Sequence, residues 1–151
     1  MSLAKMSISK DKIAELQVKR LEMVQAIISR LANNGATLKN YCITLTTAIC
    51  GFTVTLQRPL VAFLALLPIV VFALLDAQFL RMERRFRALF DQLTEEAWGA
   101  LPQFAIDLRF APRIGYCSVL CSWSILVFYV PLGLAVMVVG FVAGHFHGLS
   151  V

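Results

Sequence analysis

One carboxylate lies deep in an apolar stretch of this sequence, where its charge has the clearest chemical consequence. Asp76 follows the apolar run PIVVFALL, and the next charged residue is Arg81, little more than one helical turn away. A carboxylate in apolar surroundings is costly unless it pairs with a cation or faces water. Two interpretations follow. Asp76 either belongs to a pore or gate, or marks the end of an apolar segment and pairs with Lys39, Arg30 or a residue one turn away.

Polar residues also cluster in the segment ANNGATLKN, directly before another apolar stretch. Together with Asp76 they make up the candidate pore or gate residues: Asn33, Asn34, Lys39 and Asn40. Asparagine favours helix ends, where its side chain caps the backbone, and its amide also hydrogen-bonds readily to water. The asparagines therefore either cap helices or line a hydrophilic vestibule.

Basic residues near the start of the chain form a candidate anion-binding site. Residues 1–20 carry five positive charges against two negative ones, and the cations are Lys5, Lys10, Lys12, Lys19 and Arg20. They lie at or beyond the distance over which basic residues orient a membrane span. In a ring of subunits their charge would multiply and hold a nucleotide or DNA oligomer. The alternative is a solvated helix face that touches anionic lipid.

The sequence shows no catalytic arrangement and no metal signature. Four cysteines lie in or beside apolar segments and are expected to pack as small apolar side chains: Cys42, Cys50, Cys117 and Cys121. His145 and His147 form an isolated His-x-His, which is a weak metal motif. We therefore predict a protein that is not an enzyme and uses neither a cofactor nor a metal.

The elements that must position these residues are apolar. The 151 residues are 59% hydrophobic and only 15% charged, with a mean hydropathy of +0.76. A soluble protein of this composition would expose large adhesive patches. Three stretches, 38–57, 60–80 and 121–145, approach the ~20 apolar residues needed to cross a bilayer. The composition predicts an all-α membrane protein.

Charge placement predicts its orientation. Of the 14 Lys and Arg residues, seven precede the first span or lie at its mouth, six lie between the second and third spans, and only Arg58 lies between the first two. Basic residues collect on the cytoplasmic side. The first residues lack the apolar core of a signal peptide. We expect a multi-pass protein of a bacterial inner membrane with a cytoplasmic N-terminus.

The first two spans are expected to form an antiparallel hairpin. Helical periodicity continues beyond the membrane in both of its helices, on the cytoplasmic side. Ser9 is a candidate N-cap, and the helix that follows has an apolar seam at Leu21, Val24, Ile28 and Leu31, interrupted further back by Gln17. The second span continues the same spacing past the water line at Leu75, Phe79, Met82, Phe86, Leu89 and Leu93. We expect the two cytoplasmic extensions to pack on each other and on other subunits.

Glycines and prolines leave several local alternatives. Near Gly35 the chain either bends or continues as one helix. Pro59 suits the first turn of the second span, and Pro68 predicts a kink within it. Residues 102–112 alternate between apolar and polar, which is the period of a half-buried strand. Pro131 and Gly133 either kink one long third helix, the interpretation we favour, or split it into a re-entrant pair. Small residues at positions 140 and 144 predict close helix contact.

The chain therefore divides into four regions. They are a cytoplasmic N-terminal helical region (1–37), a transmembrane hairpin (38–80), a cytoplasmic helix extension and loop (81–113), and a third transmembrane region (114–151).

Two blocks of the sequence resemble a family of small bacterial membrane proteins. The blocks are VQAIISRLANNGATLKNY and LLPIVVFALLDAQFLRMERRFRALFD, and the resemblance covers roughly residues 24–91. The matching positions of the first block are Arg30, Leu31, Ala32, Asn33, Asn34 and Lys39. Those of the second are Pro68, Asp76, Arg81, Glu83, Arg84, Phe86, Arg87, Leu89, Phe90 and Asp91.

Proteins of this plan resemble membrane effectors of bacterial antiphage systems, in particular the Hailong type. There, a partner nucleotidyltransferase makes DNA oligomers that restrain an oligomeric membrane effector. The resemblance implies a channel whose release depolarises the inner membrane and arrests growth. It is a likeness of architecture, and architecture alone does not identify a ligand.

The expected protein is thus a homotetramer in which each subunit gives a hairpin and a third span. Its cytoplasmic helices would gate the path, with Arg81, Arg84, Arg85 and Arg87 anchoring the helix at the headgroups and coupling it to the pore. The alternative is a non-conducting scaffold or a subunit of a transporter complex. Transporters usually show inverted repeats with broken helices, and the sequence shows no convincing repeat.

Overall fold

The computed structural model describes residues 9–56, 58–95 and 111–149, and within them all regular structure is helical. The helices are α1 (Lys10–Leu56), α2 (Pro59–Leu64), α3 (Leu66–Glu95), α4 (Tyr116–Leu120) and α5 (Trp123–Leu149). The predicted all-α class is confirmed. The alternating segment 102–112 lies outside the described residues, apart from its last two positions, 111 and 112.

α1 is one uninterrupted helix of 47 residues that begins directly after Ser9. The backbone N–H of Lys12 bonds to the Ser9 carbonyl at 3.0 Å, so Ser9 opens the first turn. Gly35 is buried in the middle of this helix and causes no bend. The continuous alternative is therefore correct, and the glycine serves a close helix approach.

α2 and α3 form one membrane-directed element with a break between them. Pro59 occupies the first turn of α2, as expected, and Arg58 before it is extended. The break falls at Ala65, whose N–H bonds to the Ala62 carbonyl at 2.9 Å. Pro68 explains this position, because a proline lacks a donor and its ring clashes with the carbonyl four residues earlier. The predicted irregularity is real, and it falls one turn before the proline.

The N-terminal half of α1 packs against the C-terminal half of α3. A core cluster joins Val24 of α1 to Phe86, Leu89 and Leu93 of α3, with each of the four at most 9% exposed. α3 runs to Glu95 without interruption, which confirms that it continues well past Leu80. The seam on α1 also includes Gln17, which is buried despite its polarity.

The seam on α3 does not extend as far into the apolar region as its spacing predicted. Leu75 is 43% exposed, and the adjacent Asp76 and Ala77 are buried in its place. The face that α3 turns toward α1 therefore shifts by one residue where the apolar segment begins.

α5 is a single helix that passes through Pro131, so the favoured interpretation of the third apolar region is confirmed over a re-entrant pair. Its buried face lies in a second core cluster, where Ile125, Tyr129 and Val136 pack with Cys42 and Ile69. Cys42 behaves as a small apolar side chain, whereas Cys117 and Cys121 are exposed. Gly140 is buried as well, in line with its predicted role in helix contact.

Among the described residues, two helical stretches are long and apolar enough to cross a membrane, Leu60–Glu95 and Trp123–His145. They correspond to the predicted second and third spans. The predicted first span is the C-terminal half of α1, which contains five threonines between positions 38 and 57 and is less apolar. Its passage through a membrane remains a prediction.

Candidate functional site

A buried ion pair joins the two long helices where their apolar parts begin. Lys39 Nζ on α1 lies 3.4 Å from Asp76 Oδ2 on α3. The Asp76 side chain is 6% exposed and that of Lys39 is 25% exposed. Of the two interpretations of Asp76, the structure therefore supports pairing, with Lys39 as the partner, and a role of Asp76 in a pore or gate stays a prediction. A buried charge is costly unless an opposite charge compensates it.

α5 completes the surroundings of the lysine. Lys39 Nζ donates a hydrogen bond of 3.1 Å to Ser124 Oγ, and the same nitrogen lies 5.8 Å from the centre of the Phe128 ring. A cation at that distance from an aromatic face is attracted by the ring. Lys39 thus contacts α3 through its charge and α5 through a hydroxyl and a ring, so the three long helices meet at this one side chain.

Gly35 allows the carboxylate to sit against α1. A Cβ atom at this position would lie 3.0 Å from Asp76 Oδ1, whereas one at Gly51 of the same helix would meet nothing within 4 Å. The absence of a side chain at position 35 therefore sets the distance between the two helices beside the ion pair.

Gly35→Ala should therefore lower the thermal stability of the detergent-solubilised protein, because the carboxylate must move away from its lysine. Gly51→Ala is the matched control. Alanine stabilises a helix by up to ~1 kcal/mol over glycine, so the control should be neutral or stabilising. The melting temperatures of the two variants and the parent give the comparison. Equal effects of the two substitutions would contradict the close approach at Gly35.

A cavity of about 210 Å³ opens beside the pair. Its polar lining comes from Lys39, Asp76, Glu83 and Ser124, and α1 contributes Gly35 and Ala36. This volume accommodates several water molecules. Among the described residues no hydrogen bond reaches Asp76 Oδ2, which is buried, so the ion pair with Lys39 is what compensates its charge.

Two arginines of α3 hold the segment that leads into α5. Arg81 Nε donates to the carbonyl of Ile114 at 2.9 Å, and Arg84 donates to Ser122 Oγ at 2.8 Å. Arg87 pairs instead with Glu83 on its own helix. Headgroup anchoring was the predicted role of these arginines. No sequence pattern indicated the links to Ile114 and Ser122, which join residues more than 30 positions apart.

The three candidate asparagines lie apart from the ion pair. Asn33, Asn34 and Asn40 are all exposed on α1. Because α1 continues through them, they do not cap a helix end. Capping is therefore excluded for these three residues, and their place in a hydrophilic vestibule stays a prediction.

The basic N-terminal residues do not converge within one subunit. Lys10, Lys12 and Lys19 are exposed and Arg20 is half-buried, and their spacing places only Lys12 and Lys19 on a common helix face. Lys5 lies outside the described residues. An anion would therefore have to be held by several subunits together.

Lys19 is already paired within its own helix. Its ammonium lies 2.8 Å from Glu15 Oε1. The hydrogen bond from Lys19 lowers the pKa of Glu15, and the same bond raises the pKa of Lys19. Both groups are fully solvated, so this pair contributes little to stability. It does reduce the charge that Lys19 offers to a polyanion.

In the described part of the chain, no group of three His, Cys, Asp or Glu residues is arranged to hold a metal ion. His145 is exposed near the end of α5, and the side chain of His147 lies outside the description. No family model, curated protein or solved structure matches this chain.

Proposed function

We propose that the protein is an oligomeric channel-forming effector of a bacterial inner membrane, gated through its cytoplasmic helices, and that it acts in antiphage defence. The subunit would cross the membrane three times, with α1 and the α2–α3 element as a hairpin and α5 as the third span. Four subunits would enclose the path. Opening would depolarise the membrane and arrest growth.

The outer surface of the helices supports a membrane location. In the most apolar part of Leu60–Glu95, only 33% is buried within the subunit. In the most apolar part of Trp123–His145, only 22% is buried. Large apolar side chains face outward on both, among them Leu60 at 78%, Trp123 at 81% and Phe141 at 78% exposed. The core helix of a soluble protein would be covered. An apolar surface this extensive is stable in lipid or against other subunits.

The observation that carries the channel proposal is the buried Lys39–Asp76 pair beside its cavity. Ionisable groups inside a membrane protein usually face a bundle interior or an aqueous path, and they mark sites of ion or proton movement. Here the pair lies where three helices meet and next to polar space. It would hold the closed state, and its separation would release α1 from α3 and α5.

The cytoplasmic helices are suited to operate such a gate. The cluster of Val24, Phe86, Leu89 and Leu93 couples α1 to α3 beyond the membrane, and Arg81 and Arg84 couple α3 to the start of α5. A force on the cytoplasmic ends would therefore reach all three spans through direct contacts. Restraint by a DNA oligomer or nucleotide, made by a partner nucleotidyltransferase, rests on the family resemblance and the positive charge of residues 1–20.

Purified protein in sealed liposomes should release a trapped small ion faster than protein-free liposomes of the same lipid. Adding single-stranded DNA oligomers on the side where Lys12 is exposed should slow this release if the anion restrains the gate. Mass measurement in mild detergent, before and after nuclease treatment, gives the subunit number and any bound nucleic acid. No release from correctly inserted oligomers would contradict the channel, and a monomer would favour a scaffold or transporter-complex subunit.

A further inference from the structure

The membrane-directed half of α1 exposes a stripe of polar residues, which we call the threonine stripe. Its members recur every three or four positions and are Thr37, Asn40, Thr44, Thr47, Gly51 and Thr55. All six are exposed. This spacing keeps them on one face of a helix with 3.6 residues per turn. The stripe contains no charged residue.

The threonine stripe lies on the side of α1 opposite its packed face. The residues of this half that are buried against the rest of the subunit are Gly35, Cys42, Thr46 and Thr53. Each is about half a helical turn away from a member of the stripe. Lys39 also points to the packed side, where it meets Asp76. Within the described residues, the other helices therefore cover the opposite face of α1 and leave the stripe exposed.

Exposed apolar side chains border the stripe on both sides. Tyr41 and Phe52, 60% and 63% exposed, lie on one flank. Ile43 and Val54, 43% and 65% exposed, lie on the other. A helix face in contact with lipid is apolar throughout, and a helix face in bulk water carries charges. An uncharged polar stripe between two apolar flanks fits neither surrounding.

This arrangement fits a ring of copies of the same chain. The apolar flanks of each α1 would pack on the opposite flanks of its neighbours, which is a head-to-tail contact that closes by rotation. The threonine stripe of every copy would then face the axis, where water replaces lipid. A second copy of this chain is thus the partner that satisfies both the flanks and the stripe.

The hydroxyl groups of the stripe are oriented by their own helix. Thr37 Oγ1 donates to the Asn33 carbonyl at 2.9 Å, Thr44 Oγ1 to the Asn40 carbonyl at 2.9 Å, and Thr55 Oγ1 to the Gly51 carbonyl at 3.1 Å. Each of these hydroxyls has its proton engaged, so its remaining lone pairs are available as acceptors. A surface of oxygen acceptors stabilises cations and their hydration water more than anions.

From these contacts we infer that the threonine stripe lines a water-filled path at the centre of a ring of α1 helices, and that this path passes small hydrated cations in preference to anions. The inference rests on the proposed channel function and identifies its lining and its permeant class. The Lys39–Asp76 pair then lies on the face of α1 that points away from the path. By holding α1 in position, the pair controls the width of the path.

Single cysteines on α1 test this assignment in proteoliposomes. In a variant with the four native cysteines replaced by alanine or serine, Thr44→Cys and Thr47→Cys should react with a membrane-impermeant cationic thiol reagent. The reaction should reduce cation release several-fold. Ile43→Cys, at the depth of Thr44, and Val54→Cys, about two turns beyond Thr47, lie on the flank and should remain unmodified. If the reagent instead modifies the flank positions and leaves the stripe positions of a conducting protein unchanged, the assignment of the lining is wrong.

A second variant avoids the cysteine replacements. Thr44→Val in the otherwise natural sequence keeps the side-chain shape and removes the hydroxyl, so cation release should fall while assembly, read by mass in detergent, is retained. The reversal potential in a salt gradient should show a preference for cations, and a preference for anions would overturn the inference. Absence of any release from the parent protein is a separate result, because it refutes the proposed channel before any lining residue is changed.

Discussion

Replacing Lys39 with methionine should destabilise the protein more than replacing Asp76 with asparagine, although each change removes the same ion pair. Lys39→Met leaves a carboxylate that is 6% exposed without its cation. Breaking a buried pair from one side typically costs ~3–5 kcal/mol. Asp76→Asn leaves a lysine that is 25% exposed and still bonded to Ser124, and its long side chain can carry the charge toward water. The second loss should therefore be smaller.

The double variant Lys39→Met/Asp76→Asn distinguishes a charge effect from a packing effect. It has no uncompensated charge, so its melting temperature should lie above that of Lys39→Met alone. Lys19→Met is the matched control, since Lys19 forms a solvated pair with Glu15 and should change the melting temperature little. A double variant less stable than either single one would mean that the two side chains contribute independently. Under the proposed function, both single variants should also leak ions in liposomes.

Phe86→Ala should separate the N-terminal half of α1 from the C-terminal half of α3. The ring is 9% exposed and packs with Val24, Leu89 and Leu93 in the only core cluster that the described residues form beyond the membrane-directed part. Removing a buried phenylalanine typically costs ~3–5 kcal/mol, from lost burial and from the cavity that remains. Because this cluster is small, we expect local opening of residues 10–31 and 82–95 while the ion pair and the apolar helices stay folded.

Hydrogen exchange read by peptide masses measures this opening directly. Amides in residues 10–31 and 82–95 should exchange faster in Phe86→Ala, and amides near Asp76 should keep their protection. Met23→Ala is the control, because Met23 is 48% exposed and lies beside the buried Val24 on the same helix. Uniform loss of protection along α1 and α3 would mean that the chain opens as one unit and that its cytoplasmic part is not separately coupled.

Periodicity predicted the elements of this fold better than their contacts. The spacing of Leu21, Val24, Phe86 and Leu89 was enough to predict two helices that extend from the apolar region and pack together. Proline chemistry predicted the start of α2 and a kink at Pro68, and the break falls one turn earlier, at Ala65. These features depend on residues close in sequence, and local sequence is sufficient to specify them.

Contacts between residues far apart in the sequence were harder to predict. The sequence offered several partners for Asp76. Hydropathy indicates how deep a charge lies in an apolar segment, but it does not indicate which residue faces that charge. The links from Arg81 to Ile114 and from Arg84 to Ser122 have no periodic signature at all. The threonine stripe was visible as a spacing, yet its meaning depends on which face of α1 is covered, and only the packing of α3 and α5 determines that.

The uninterrupted course of α1 has a mechanical consequence. A helix of 47 residues is about 70 Å long at 1.5 Å per residue, and it has no joint between its water-exposed start and its apolar end. It therefore acts as a lever. A twist or tilt imposed near Lys12 would meet no break in the helix before Thr47, whereas the returning α2–α3 element is broken at Ala65. Torque applied to this subunit can therefore act through α1 and be taken up at the break between α2 and α3.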